Sequence, residues 1–263
     1  MVIEILPPYN SFLDPLYDIV ITLLAFLYVV LTIFSPMILY KKGKVSKFQA
    51  RKLVHLTAGL AVLVTPFFVW KIWGTIIAGT LTIVVFATSE KARVKKLKEL
   101  YETISEEAEE DLKRPYLQGP FHYCAAITFI ITIAAIFFPN QIYFAIAGIL
   151  IMIVSDTLAS LFGKKYGKHS INISWTNTTR SLEGSLMLFG SAFILCFGAF
   201  LIYGFFDFGT QLRLNLIQVI LYSLLTSVIA TVIELISPST WDDLTIPIAT
   251  TLTIFLIVWF YSL

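Results

Sequence analysis

Eight stretches of the chain are apolar on every face for the length of a membrane-spanning helix: 16–39, 53–70, 72–88, 120–138, 141–162, 181–203, 214–236 and 244–263. Crossing a hydrocarbon core of about 30 Å takes about 20 such residues in a helix. A membrane β-barrel would instead alternate apolar and polar residues over about ten positions. Runs such as Ile142 to Val154 do not alternate. The pattern predicts an all-α, polytopic integral membrane bundle of about eight transmembrane helices. No internal repeat divides it, so residues 1–263 read as a single transmembrane domain. The first run follows Glu4, Asp14 and Asp18 without a basic stretch, which marks a retained helix rather than a cleaved leader.

Composition agrees with the pattern. The chain is 57% hydrophobic and 14% charged, against about 25% charged in soluble globular domains. That excludes an ordinary soluble enzyme and a nucleic-acid-binding module. Cys124 and Cys196 both lie in apolar runs and outline neither a disulfide framework nor a zinc site.

The net charge is only +2, but the basic residues are segregated. All except Lys71 and Arg213 fall in the connections 41–52, 89–118 and 163–180. Lys and Arg collect on the cytoplasmic side, so these connections are expected to be cytoplasmic and both termini outside. The active face is then cytoplasmic, in the plasma membrane of a prokaryote or the endoplasmic reticulum of a eukaryote. Within the second connection, Val94, Leu97, Leu100, Ile104 and Ala108 recur at helical spacing. A cytosolic amphipathic helix over 89–112 is expected, packed on neighbouring loops rather than sensing lipid.

The acids carry the chemistry. Asp156, Glu183, Glu234, Asp242 and Asp243 lie in or beside spans 5 to 8, near the ends expected to face the cytoplasm. Ionisable groups in spanning helices face a bundle interior or a wet cavity and mark functional sites. Several carboxylates at one level repel one another unless cations neutralise them, and a hard divalent ion such as Mg²⁺ suits oxygen ligands. All five are therefore candidate metal ligands, with pairing to Lys164, Lys168 or Arg180 as the alternative for any one of them.

Asp156, Ala159, Ser160, Gly163 and Gly167 share a helical face. Alone, such a stripe of small residues is a packing face. Lys164, Lys165, Lys168 and His169 follow it and turn the reading toward a polyphosphate cradle. After a polar hairpin, Arg180-Ser181-Leu182-Glu183-Gly184-Ser185 opens the next helix, with Ser181 as its expected N-cap. Arg51 or Lys52 shares a face with His55 at the start of span 2. No Walker A motif or Rossmann glycine fingerprint is present.

Asp156-x-x-Ala159-x-x-x-Gly163-x-x-x-Gly167-Lys168-His169, then Ser181-x-Glu183-Gly184-Ser185, resembles the CTP-dependent lipid-alcohol kinases. That group holds the dolichol and polyprenol kinases, the phytol kinases and the fungal diacylglycerol kinase. Arg51-Lys52-x-x-His55, Arg114…Gly119-Pro120…Tyr123 and Glu234…Asp242-Asp243-x-x-x-Pro247 look like the same family, so the resemblance covers roughly residues 45–250. Arg180 stands where the family usually has Lys, and Asp243 where it has Asn.

The resemblance implies a CTP-dependent kinase that phosphorylates a long-chain isoprenoid alcohol, with Mg²⁺ as cofactor and the lipid tail arriving sideways between spans. It places a CTP-binding loop at 163–180. Gly163, Lys164, Gly167, Lys168, His169, Arg180, Ser181 and Gly184, with Arg51 and His55, are expected at the nucleotide. Asp156 and Glu183 are expected to be catalytic, and Asp156, as the deepest carboxylate, to take the alcohol's proton. Phosphatidate cytidylyltransferases share the Asp…Gly…Gly-Lys-His…Glu-Gly core, but their C-terminal Pro-Gly-His-Gly-Gly segment is absent here. A proton- or cation-coupled transporter is the reading from another class, and no inverted repeat supports it.

Overall fold

The computed structural model describes residues 6–88, 92–105, 118–176, 178–206, 211–238 and 241–261. Its helices are α1 (Leu13–Lys41), α2 (Lys47–Gly59), α3 (Ile72–Ala87), α4 (Lys95–Ile104), α5 (Gln118–Phe137), α6 (Ile142–Leu150), α7 (Asp156–Tyr166), α8 (Leu182–Ala199), α9 (Leu216–Ile236) and α10 (Asp242–Tyr261). Among the described residues, six helical stretches are long and apolar enough to cross a membrane: Leu13–Lys41, Gly119–Phe137, Pro139–Tyr166, Leu182–Phe205, Leu216–Ile236 and Asp242–Phe260. The expected spans 53–70 and 72–88 correspond to α2 with its continuation and to the shorter α3.

Span 2 begins earlier than its apolar run. Ser46 and Gln49 form a reciprocal capping box, Ser46 Oγ accepting from Gln49 N at 3.2 Å and Gln49 Oε1 from Ser46 N at 2.9 Å. Its second half, Leu60–Phe67, tightens into a 3₁₀ helix. Pro66 has no N–H to give the Val62 carbonyl, so an α-helical ladder cannot continue through it.

α6 is the axis of the bundle. All nine of its residues are buried, and it packs against α5, α8, α10 and the 3₁₀ segment. Polyalanine-like closeness is needed where it meets α10. A Cβ on Gly148 would come within van der Waals overlap of Thr251 Oγ1 and 3.1 Å from the Pro247 carbonyl oxygen. Packing rather than water exclusion holds membrane helices together, so Gly148→Val is expected to destabilise the bundle by about 1–3 kcal/mol, as overpacked cores do. Thermal unfolding in detergent reads this directly, and an unchanged midpoint would contradict the contact.

Two π-helical turns interrupt the spans, at Ile151–Ser155 between α6 and α7 and at Phe200–Phe205 after α8. The first lies immediately before Asp156. A π-turn inserts a residue and re-aims the helix beyond it, and such turns are frequent at functional sites.

The connections gather at two ends. At one, Asp18 is wholly buried and accepts from Val69 N at 2.8 Å, Trp70 N at 3.0 Å and Tyr9 Oη at 3.2 Å, tying α1 to the start of α3. At the other end lie α4 and the turn from α7 to α8. α4 packs Leu100 and Tyr101 on Met37 of α1. Lys41 Nζ donates to Glu99 Oε2 at 2.6 Å and holds that carboxyl below its ordinary range. The amphipathic helix expected over 89–112 is thus described as Lys95–Ile104, and its remainder at 89–91 and 106–112 lies outside the described residues, as do Asp207 and Arg114.

The segment 163–180 is not a continuous loop. Gly163–Tyr166 complete α7, and Ser170–Ile173 (β1) pairs antiparallel with Thr178–Ser181 (β2) in the register Ser170↔Ser181 and Ile171↔Arg180. Ser181 ends β2 and caps α8, its Oγ accepting from Gly184 N at 3.1 Å. The hairpin reaches across to α9, where Trp175 Nε1 donates to the Ile236 carbonyl at 3.3 Å.

Candidate functional site

α7 divides its residues between two neighbours. Ala159 and Gly163 face α8: a Cβ on Gly184 would lie 3.1 Å from the Ala159 carbonyl oxygen, and one on Gly163 2.8 Å from Ser181 Oγ. A Cβ on Gly167 would likewise run into the Gly163 carbonyl and Ser181. Gly163, Gly167, Ser181 and Gly184 therefore fill a helix contact, and none of them lines the cavity described next. Asp156, Ser160 and Lys164, four residues apart, present the other face to that cavity.

The cavity has a volume of about 390 Å³ and lies between α1, α2, α3, α5 and α7. Its charged end is lined by Arg51, Lys52, Asp156, Lys164, Arg180, Asp242 and Asp243, with His55 beside them. Lys52 Nζ stands 3.8 Å from Asp156 Oδ2, an ion pair too long to be a hydrogen bond. His55 is held by its neighbours. Its ring lies 4.3 Å from the Tyr123 ring, and the Tyr123 hydroxyl donates to the His55 carbonyl at 2.8 Å. Among the described residues His55 Nε2 is buried without a hydrogen-bond partner, and it sits 4.0 Å from Asp243 Oδ1. Lys164 Nζ lies 4.4 Å from the Phe48 ring centroid and Arg51 Cζ 5.8 Å from it, so one aromatic face positions two cations.

Arg180 joins the hairpin to α9 and α10. Its Nη1 is 2.6 Å from Glu234 Oε1, and its Nη2 donates to Asp242 Oδ2 and to the Ser237 carbonyl, both at 3.3 Å. Glu234 also accepts from Ser185 Oγ at 3.3 Å. Asp242 Oδ1 accepts from Asp243 N at 3.1 Å. Pro247 sits four residues beyond Asp243 in α10 and brings no N–H to that carbonyl.

Glu183 belongs to a separate cluster. Its Oε1 is 2.8 Å from His169 Nδ1, and its Oε2 accepts from the backbone N–H groups of Lys168 at 3.1 Å and His169 at 3.4 Å. It thereby clamps the turn between α7 and β1. Neither Glu183, Lys168, His169 nor Glu234 lines the cavity.

Of the five carboxylates grouped from the sequence, Asp156, Asp242 and Asp243 line the cavity, Glu234 sits behind it on Arg180, and Glu183 is engaged in a separate cluster. Among the described residues no three His, Cys, Asp or Glu side chains converge as a ready-made metal cage. Lys52 was not singled out over Arg51 by the sequence. Adjacent helical positions differ by about 100°, and only the fold, through the Lys52–Asp156 ion pair, shows which of them meets Asp156. The π-turn before Asp156 has no local sequence signal.

Comparison with characterised proteins finds two similar chains. The chain is 29% identical to dolichol kinase of Saccharomyces cerevisiae over 167 residues, covering 64% of this chain and 30% of that protein. It is 27% identical to phytol kinase 1, chloroplastic, of Arabidopsis thaliana over 225 residues, covering 83% of this chain and 69% of that protein. The chain is a relative of the dolichol and phytol kinases. It matches less than a third of the length of the yeast dolichol kinase and more than two thirds of the plant phytol kinase. No protein-family model matches this kinase relative, and no solved structure does.

Proposed function

We propose that the chain is a CTP-dependent kinase that phosphorylates a long-chain isoprenoid alcohol, a polyprenol or dolichol, at the cytoplasmic membrane face. The observation that carries this reading is a single cavity with carboxylates and cations at one end and an apolar limb at the other. A hydroxyl on a hydrocarbon tail is the kind of substrate that both ends suit.

Phosphoryl transfer needs positioning and charge neutralisation more than covalent help. Arg51, Lys52 and Lys164 at the charged end supply attraction for a triphosphate. Asp156, at the charged end of the cavity, is the acceptor for the alcohol's proton. The alcohol oxygen bonds the γ-phosphorus as the bond to the CDP oxygen breaks, and CDP leaves. Arg180, held by Glu234 and Asp242, fixes α10 beside the phosphates and adds its charge to the mouth.

Mg²⁺ typically takes one or two carboxylates and completes its shell with waters and substrate phosphates. Asp156, Asp242 and Asp243 on one cavity fit that requirement, and the lack of a three-ligand cage among the described residues suits an ion that arrives with the nucleotide. When bound, it would neutralise phosphate charge.

Glu183 acts here by position: it holds the Lys168-His169 turn, which leads into the strand paired with that of Arg180. Glu183→Gln is expected to raise the KM for CTP by about tenfold through loss of a charge-assisted contact, with kcat and the melting temperature little changed. A fall in kcat at unchanged KM would instead make Glu183 part of the reacting centre.

Phytol is the second reading, favoured because the match to phytol kinase covers more of both chains. Purified protein given Mg²⁺, with CTP, ATP or GTP in turn, and dolichol, polyprenol, phytol or diacylglycerol, tests the proposal. Transfer from CTP to polyprenol or dolichol supports it. Preference for phytol supports the second reading, and transfer to diacylglycerol alone or from ATP alone contradicts both.

A further inference from the structure

The His55 ring meets the charged end of the cavity with one nitrogen unused. Among the described residues its Nε2 is buried with no hydrogen-bond partner. The 4.0 Å to Asp243 Oδ1 is too long for a hydrogen bond. A buried polar atom left unpaired is uncommon, and a role in catalysis is one of the reasons for it. Lys52, three residues earlier on the same face of α2, meets Asp156. Arg51, Lys52, Lys164 and Arg180 line the same end of the cavity, which favours an anionic ligand there. A phosphate oxygen is the acceptor that suits such a place.

The ring is held from α5. Tyr123 sets its own ring 4.3 Å from the His55 ring, at an angle of 43°. It also donates its hydroxyl proton to the His55 carbonyl at 2.8 Å, which as a carbonyl has two lone pairs to offer. His55 is thus gripped by both its side chain and its main chain. The hydroxyl lies against Gly59, one turn further along α2. A Cβ on Gly59 would overlap that hydroxyl, and would lie 3.1 Å from Tyr123 Cζ and 2.7 Å from Ile153 Cγ2. Ile153 belongs to the π-turn that precedes Asp156. Gly59 is therefore the notch in which α2, α5 and the π-turn meet, and its missing side chain lets Tyr123 reach His55.

We propose that Tyr123 is a positioning residue for phosphoryl transfer: seated in the Gly59 notch, it fixes His55 so that Nε2 donates to a terminal-phosphate oxygen of the nucleotide. The phosphate contact rests on the kinase reading; the grip on His55 rests on the geometry. Tyr123 acts through His55 alone, since its own hydroxyl is already engaged.

The chain has three histidines, so ring-nitrogen NMR signals of histidine-labelled protein in detergent are assigned by single substitutions, His55→Asn among them. Adding Mg²⁺ and the non-transferable β,γ-methylene-CTP should move the His55 Nε2 signal of the parent protein. Tyr123→Phe keeps the ring and loses the hydroxyl, and should shift or broaden the His55 signals before any nucleotide is added. Its kcat should fall by about 10- to 100-fold, the scale on which misplaced groups act, with the KM for CTP changed by less than about threefold. In a His55→Asn background the same change should lower kcat by less than about twofold, because coupled residues do not add, while its effect on the melting temperature persists. Gly59→Ala should also lower kcat, and less so once Tyr123→Phe has removed the overlapping hydroxyl. An unchanged kcat in Tyr123→Phe, or a full multiplicative loss in the double variant, would make Tyr123 a packing residue and overturn the proposal. Binding of the analogue, measured by equilibrium dialysis, that leaves the His55 signals unmoved would overturn it too. The expected shifts on binding, with no transfer from CTP to any alcohol, would overturn the kinase reading alone.

Discussion

Asp156→Asn is expected to lower phosphoryl transfer by about 10²–10⁴-fold, the usual contribution of a positioned general base. The substitution keeps the side chain's shape and removes its negative charge. Asp156 is the carboxylate of α7 that faces the cavity, and Lys52 at 3.8 Å is the cation nearest it. Asn leaves Lys52 without its counter-charge but does not disturb the Ala159 and Gly163 contact with α8, which lies on the other face of the helix. The variant should therefore extract and melt like the parent protein. Measuring kcat and the melting temperature together separates the two roles. Activity within about threefold of the parent, well inside the loss that removing a general base brings, would remove Asp156 from the reacting centre. A large drop in melting temperature would make it a structural ion-pair residue.

Arg180→Ala is expected to be the most destabilising single change in the site, by about 3–5 kcal/mol, because it strands the buried Glu234 and the half-buried Asp242 without their cation. Glu234 is only 3% exposed and keeps only the Ser185 hydroxyl when the guanidinium is gone. Asp242 loses the same partner. Replacing the pair together, as Arg180→Met with Glu234→Gln, should recover part of the stability without restoring activity, since it removes the stranded charge but not the need for the cation. Thermal unfolding in detergent measures the first effect and the double variant the second. An unchanged midpoint for Arg180→Ala would contradict the ion-pair network.

The spans and the clustering of acids were legible because both are one-dimensional signals. Apolar runs long enough to cross a membrane stand out whatever their neighbours, and Asp156, Glu234 and Asp242 stand out because charge in such runs is costly. Ser181 as a cap was legible for the same reason, its side chain acting on a backbone N–H three residues away. The partition of those features was not. Asp156 and Gly163 share a broad helical face in the sequence, yet neighbouring helices divide it, giving Asp156, Ser160 and Lys164 to the cavity and Ala159 and Gly163 to α8.

The separation of Glu183 from Asp156 depends on the β1–β2 register, which places Leu182 N on the His169 carbonyl at 2.9 Å and brings Glu183 under that turn. The 3₁₀ and π segments do not show in the pattern of apolar residues. Pro66 hints at the first, and nothing near Ile151–Ser155 hints at the second. Asp18 looked like one of three acids flanking the first span. It proves to be the buried acceptor that ties α1 to the start of α3.

The central claim, transfer of a terminal phosphate to a lipid alcohol, is tested most directly by two parallel assays on the purified protein with Mg²⁺ and a mixture of polyprenol, phytol, diacylglycerol and phosphatidate. One uses CTP labelled at the γ-phosphate and the other CTP labelled at the α-phosphate. The account predicts lipid-phase label from the γ position only, in a product that chromatographs as a prenyl monophosphate. Label from the α position only would mean transfer of a cytidylyl group and would contradict it, and no label from either would return the carboxylates to a transport role.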